Sequence, residues 1–165
     1  MLKKILKRTF QILLLVFIVI QFIRPEKNKA AGISKNDITT IYPVPANVHS
    51  ILKTSCYDCH SNNTVYPWYA KVQPVMWWLN DHVRDGKKDL NFSEFASYSI
   101  RRRYKKLEEV NDLVKKDAMP LDSYLWLHKD AKLNEQQKLI LANWVTAIRD
   151  TIKANYPPDS LIRKK

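Results

Sequence analysis

Glycine is nearly missing from this chain: Gly32 and Gly86 are the two it has in 165 residues. Cysteine is as scarce at two, and methionine occurs three times. So little glycine, with few runs of alternating apolar and polar residues, argues against an all-β fold. With one cysteine pair, a zinc site built from two such pairs is excluded. Acidic residues are absent from the first 24 positions, which hold Lys3, Lys4, Lys7, Arg8 and Arg24. The rest of the chain carries 23 of the 28 cations against all 16 acids, a surplus that suits an acidic partner or an anionic membrane surface.

What is present begins with "MLKKILKRTFQILLLVFIVIQFIRPEKNK", a cationic cluster ahead of an apolar run from Phe10 to Ile23 broken by Gln11 and Gln21. As a helix this run is roughly 21 Å long, against a hydrocarbon core of about 30 Å. Counted from Ile5, with Lys7 and Arg8 reaching back to the headgroups, it just crosses. In "NKAAG" Lys29 stands where a leader peptidase needs a small residue, so the segment reads as an uncleaved anchor. The basic flank stays in the cytoplasm and everything after Arg24 is exported. The expected organisation is an anchor helix over 1–24, a polar, proline-punctuated tether over 25–45, a folded domain over 46–156 and a basic tail over 157–165.

Four helical segments are expected in the domain, making it all-α. The first covers 46–55, with Val48, Ile51 and Leu52 at helical spacing. The second covers 74–85, with Pro74 in its first turn, Gly86 as its C-terminal cap and one stripe of Val75, Trp78, Leu79, His82 and Val83. A third opens on Asn91, with Glu94 three residues on, and runs to about Lys116. The fourth opens on Asn134 with Gln137 and ends before Pro157.

The stretch "TSCYDCHSN" places Cys56, Cys59 and His60 in a C-x-x-C-H pattern. Two thiols one helical turn apart can each add to a haem vinyl group, and the adjacent imidazole reaches the iron from the same side. A zinc site would instead recruit His49, His82 or His128. A thioredoxin-like dithiol would follow a strand, and none is visible here. A disulfide across so short a loop would stabilise little. Covalent haem agrees with export, with the helix feeding the motif, and with loops rich in aromatic area: Tyr66, Trp68, Tyr69, Trp77, Trp78, Tyr124 and Trp126. For the sixth iron position Met119 ranks first, in a loop stiffened by Pro120, then His82, then an open or water-bound site. Met76 reads as packing or surface. The second ring nitrogen of His60 is expected to donate to a carbonyl, that of Pro67 or Pro74.

"CYDCHSNNTVYPWYAKVQPVMWWLNDHVRDGKKDLNFSEF", followed by "AMPLDSYLWLH" and a tryptophan-bearing terminal helix, resembles the small bacterial haem-binding domain family, cytochrome c-like and membrane-anchored, across roughly residues 45–150. The resemblance implies a cytochrome c-like helical domain wrapped around one covalent haem c. Cys56 and Cys59 would be the thioether positions, His60 the proximal ligand and Met119 the distal one. The location implied is the bacterial inner membrane, with the haem domain periplasmic. The function expected is electron transfer rather than catalysis. Its partners would be redox proteins, and the basic run from Arg101 to Lys106 would draw acidic ones. Neither nucleic acid nor a small-molecule substrate is expected. The rivals are a haem enzyme or gas or redox sensor with an open or displaceable sixth position, and a haem-binding module of a larger complex.

Overall fold

The structure, a computed structural model, describes residues 1–162, among which every regular element is helical. In chain order these are α1 (Leu2–Ile20), α2 (Ala46–Ser55), α3 (Tyr57–His60), α4 (Val75–Asp89), α5 (Ile100–Lys115), α6 (Asp122–Leu125), α7 (Glu135–Asn155) and α8 (Pro158–Leu161), joined by loops and short 3-10 turns. The all-α expectation holds.

Local signals decide the ends of α7 and the extent of α2. Asn134 and Gln137 cap each other: the Gln137 backbone N–H donates to Asn134 Oδ1 at 2.8 Å, and that of Asn134 to Gln137 Oε1 at 2.9 Å. From that cap α7 buries Leu141, Trp144, Val145, Ile148 and Ile152 against α2 and α5. Val48, Ile51 and Leu52 of α2 join this core, with Leu107 of α5 and the rings of Phe92 and Phe95. The core holds one end of α2, so the residues that follow it leave from a fixed point.

Two helices differ from expectation for tertiary reasons. Asn91 does cap, but it accepts from the Ser93 N–H at 3.0 Å and opens a 3-10 turn, Phe92–Ser97. The long helix α5 starts later, under Ser99. Glu94 is drawn away from the cap by better donors: Asn62 Nδ2 at 2.7 Å, and Ser34 Oγ and Asn36 Nδ2 at 3.0 Å each. The other difference lies in α4, which continues through Gly86 to Asp89. Its buried side chains are Met76, Leu79 and Val83, while Val75 and Trp78 are 37% and 47% exposed. Met76 is therefore packing, against Ala70, Leu79 and Tyr66.

Residues 25–45 lie on the body rather than forming a loose tether. Asn28 Nδ2 donates to the Ser61 carbonyl at 2.8 Å, Ile38 is fully buried, and the Trp144 indole donates to the Pro43 carbonyl at 3.0 Å. Of the basic tail, α8 sits against α5, and Arg163, Lys164 and Lys165 lie outside the described residues. None of the residues of α1 is buried. Among the described residues no helix is long and apolar enough to cross a membrane, since Lys3, Lys4, Lys7 and Arg8 take up the first two turns of α1.

The Glu94 cluster gives a pH-dependent prediction. The hydrogen bond from Asn36, with those from Ser34 and Asn62, holds this carboxyl below its ordinary pKa. A carboxylate depressed in the folded state stabilises above its unfolded-state pKa, and that contribution is lost as pH falls through the folded value. Glu94→Gln is expected to flatten the loss of stability as pH is lowered below about 4. Urea denaturation at stepped pH reads this directly. Parallel acid limbs in the two proteins would contradict it.

Candidate functional site

The site starts from a break in helix α2. Cys56 leaves α-helical geometry (φ −130°) yet still donates its N–H to the Leu52 carbonyl at 2.9 Å. The next turn, α3, closes with the Cys59 and His60 N–H groups donating to the Cys56 carbonyl at 3.2 and 2.9 Å. Cys56, Cys59 and His60 thus line one cavity. Both cysteines are unpaired and half-buried. Burial pushes the Cys56 thiol up to about 12 and the Cys59 thiol up to about 11, with neighbouring Cys59 and Asp58 respectively as the lesser causes. Thiols this hard to ionise are poor redox nucleophiles, which weighs against a catalytic dithiol. Among the described residues no three His, Cys, Asp or Glu side chains are grouped to hold a metal ion, so a zinc site lacks its remaining ligands.

The orientation of His60 is held by α4. Its Nδ1 lies 3.0 Å from the Gly86 carbonyl oxygen and 2.9 Å from that of Leu90. Carbonyls only accept, so Nδ1 donates to them, and in the neutral ring the lone pair is on Nε2. The supporting carbonyls are these two, not those of Pro67 or Pro74. Gly86 also explains how α4 comes so near. A Cβ built on it would stand 2.8 Å from the Cys59 carbonyl oxygen and 3.1 Å from the Cys59 Cβ. This glycine is a contact point between two backbones inside α4, not a helix cap.

Facing the C-x-x-C-H turn is the loop after α5. The Ala118 and Met119 N–H groups donate to the Leu113 carbonyl at 2.9 and 3.3 Å, and Met119, Pro120 and Leu121 line the cavity. Tyr124 ties this side to the motif: its hydroxyl donates to Asp58 Oδ2 at 2.8 Å, while Asp58 Oδ1 accepts from the Val65 N–H at 2.9 Å. Sequence reasoning missed this tie, although an aspartate between the cysteines and a tyrosine five residues after Met119 were both in view. The cavity is about 460 Å³, and a smaller space of about 50 Å³ behind it shares Cys56, His60 and Met119.

The other expected residues divide. His82 lines the cavity, half-buried, with Nδ1 2.8 Å from the Trp78 carbonyl oxygen and its ring 4.2 Å from that of Trp78. His49 stands edge-on to Tyr57, away from the cavity, and His128 stacks on Tyr124 at 4.0 Å without lining it. Of the seven aromatic residues expected around the cofactor, Trp78 and Tyr124 line the cavity, whereas Trp68 and Trp126 are exposed on the surface. The charged lining is acidic: Asp58, Asp81, Asp85 and Asp89. Arg101, Arg102 and Lys105 form a solvated face of α5, and Lys106 pairs with Asp89 and Glu109, both at 2.6 Å.

A haem fits these residues. Two un-ionised thiols stand beside an imidazole with a free Nε2, a thioether lines the same space, and the volume falls within the roughly 300–1,000 Å³ of small-molecule and cofactor pockets. The helical body and this cavity define a haem-binding protein. Residues 15–147 match the family model described as a haem-binding domain, and the chain belongs to that family. No curated protein and no solved structure matches it.

Proposed function

We propose that this protein is a membrane-attached c-type cytochrome that carries one covalent haem and passes electrons between partner proteins on the periplasmic face of a bacterial inner membrane. The observation that carries this reading is the convergence of Cys56, Cys59, His60 and Met119 on one cavity. Cys56 and Cys59 would form the thioether links, His60 would be the proximal ligand and Met119 the distal one. When bound, the haem supplies a one-electron ferric–ferrous couple. The carbonyls of Gly86 and Leu90 hold the His60 ring and make Nε2 more basic. His82 stands one turn before Gly86, on the helix that supports His60, whereas Met119 enters from a different element; this favours Met119 for the opposite side. With His60 and Met119 both holding the iron, the haem would offer no place for a substrate, which supports a carrier rather than a catalyst. Attachment runs through α1, with Lys7 and Arg8 at headgroup level and the N-terminus in the cytoplasm. The basic surplus of the chain draws an acidic redox partner at long range.

Absorption spectroscopy tests the ligand set. The intact protein is expected to show a low-spin reduced spectrum, a far-red methionine–ferric band and no binding of carbon monoxide. Met119→Ala is expected to lose the far-red band completely and to bind carbon monoxide. If that variant keeps both the band and the potential, the distal assignment fails. One observation favours a second reading, a haem enzyme or sensor: His82 lines the cavity with its Nε2 unbonded while Nδ1 is engaged. Ready binding of carbon monoxide by the intact protein would select that reading.

A further inference from the structure

The joint between α1 and the domain is built, not loose. Gln21 pairs with the backbone of Gln73 as one peptide pairs with another: Gln21 Nε2 donates to the Gln73 carbonyl at 3.2 Å, and the Gln73 N–H donates to Gln21 Oε1 at 2.9 Å. Two residues on, the Ile23 carbonyl accepts from the Trp77 indole at 2.8 Å. Gln73 is 1% exposed, so the joint is seated in the body of the domain. Gln21, the C-cap of α1 and one of the two polar residues that break the apolar run, therefore sits where the helix meets the domain.

The surface around the joint is apolar. Val72 and Val75 flank Gln73 and Pro74 and are 39% and 37% exposed, Trp68 is 78% exposed, and Phe22 at the foot of the helix is 83% exposed. Arg24 and Lys71 are exposed beside them. Leaving large apolar side chains in water forgoes the free energy of burying them, so a cluster of them needs a cover. Tryptophan and cations bordering an apolar surface are what the headgroup zone of a bilayer accommodates. A bilayer is favoured over a protein partner because Val72 and Val75 flank the segment that pairs with Gln21 at the foot of α1, whose apolar residues are likewise uncovered.

We propose that the domain face around the foot of α1, centred on Trp68, Val72 and Val75 with Arg24 and Lys71 at its edge, lies on the surface of an anionic bilayer and holds the haem domain flat against it. This rests on reading α1 as the membrane attachment. It also supplements α1, whose apolar run of roughly 21 Å is matched against a hydrocarbon core of about 30 Å, with an apolar contact from the domain itself.

The test uses the full haem-loaded chain with vesicles of equimolar phosphatidylcholine and phosphatidylglycerol. A benzophenone amino acid replaces Trp68 in one protein and Leu139, 60% exposed on α7, in another. Both are floated with the vesicles, irradiated and weighed for phospholipid adducts. Flotation with at least roughly tenfold more adduct at 68 than at 139 is expected. Flotation with equal adducts at the two positions overturns the docking face and leaves the attachment through α1 standing. Failure to float overturns both.

Discussion

A Cys56→Ala, Cys59→Ala double variant, produced with the cytochrome maturation machinery, is expected to run colourless in a haem stain after denaturing electrophoresis, where the parent protein stains. The effect is all or none because no other thiol exists: these are the two cysteines of the chain, and both line the cavity. Burial holds the thiols protonated at neutral pH, with Cys56 pushed up to about 12 and Cys59 to about 11. That state suits the proposed chemistry. Adding S–H across a vinyl group puts sulfur on one carbon and hydrogen on the other, so no oxidant is required. It does not suit a disulfide exchanger, which works through its thiolate. Each single alanine variant keeps one thioether position and is expected to stain more weakly. A double variant that still stains would remove the thioether assignment. A parent protein that never stains would remove covalent attachment while leaving haem binding by the family untouched.

How much of this was legible beforehand depends on whether the signal was local. The Asn134–Gln137 cap and the apolar spacing of α2 are interactions within one turn, so the sequence displays both partners side by side. The C-x-x-C-H pattern is local in the same sense. Asn91 failed as the start of a long helix because Glu94, its expected reciprocal partner, meets Ser34, Asn36 and Asn62 from distant parts of the chain. Residues 25–45 read as a tether because their composition is polar. Yet one polar side chain, Asn28, bonds to Ser61 and Thr64, and the buried Ile38 holds the segment down. The aromatic loops read as cofactor walls by composition, and two of the seven residues, Trp78 and Tyr124, do line the cavity beside the aspartates, whereas Trp77 serves the α1 joint and Tyr66 a satellite cluster. The carbonyls that orient His60 were beyond reach for a simpler reason, since a backbone acceptor has no letter in the sequence.

Gly86 is the residue where that hidden backbone chemistry can be tested, and the expected outcome of Gly86→Ala is a protein that is both less stable and altered at the iron. On propensity alone the substitution should help, because alanine inside a helix is favoured over glycine by roughly 1 kcal/mol. The new methyl, however, stands 2.8 Å from the carbonyl oxygen of Cys59, a backbone atom that cannot swing aside as a side-chain tip would. Overpacking of this kind costs about 1–3 kcal/mol, which outweighs the propensity gain. Relief requires α4 to retreat from α3, and the retreat lengthens the 3.0 Å contact between His60 Nδ1 and the Gly86 carbonyl. The imidazole then loses part of its restraint, so a shifted reduction potential should accompany a fall in melting temperature of about 2–6 °C. Gly32 supplies the control: a Cβ there meets nothing within 4 Å, and Gly32→Ala is expected to leave both readouts in place. Thermal unfolding and redox titration of the haem-loaded proteins decide the matter. If Gly86→Ala melts at or above the parent, α3 and α4 are not in backbone contact, and the support assigned to His60 falls with that contact.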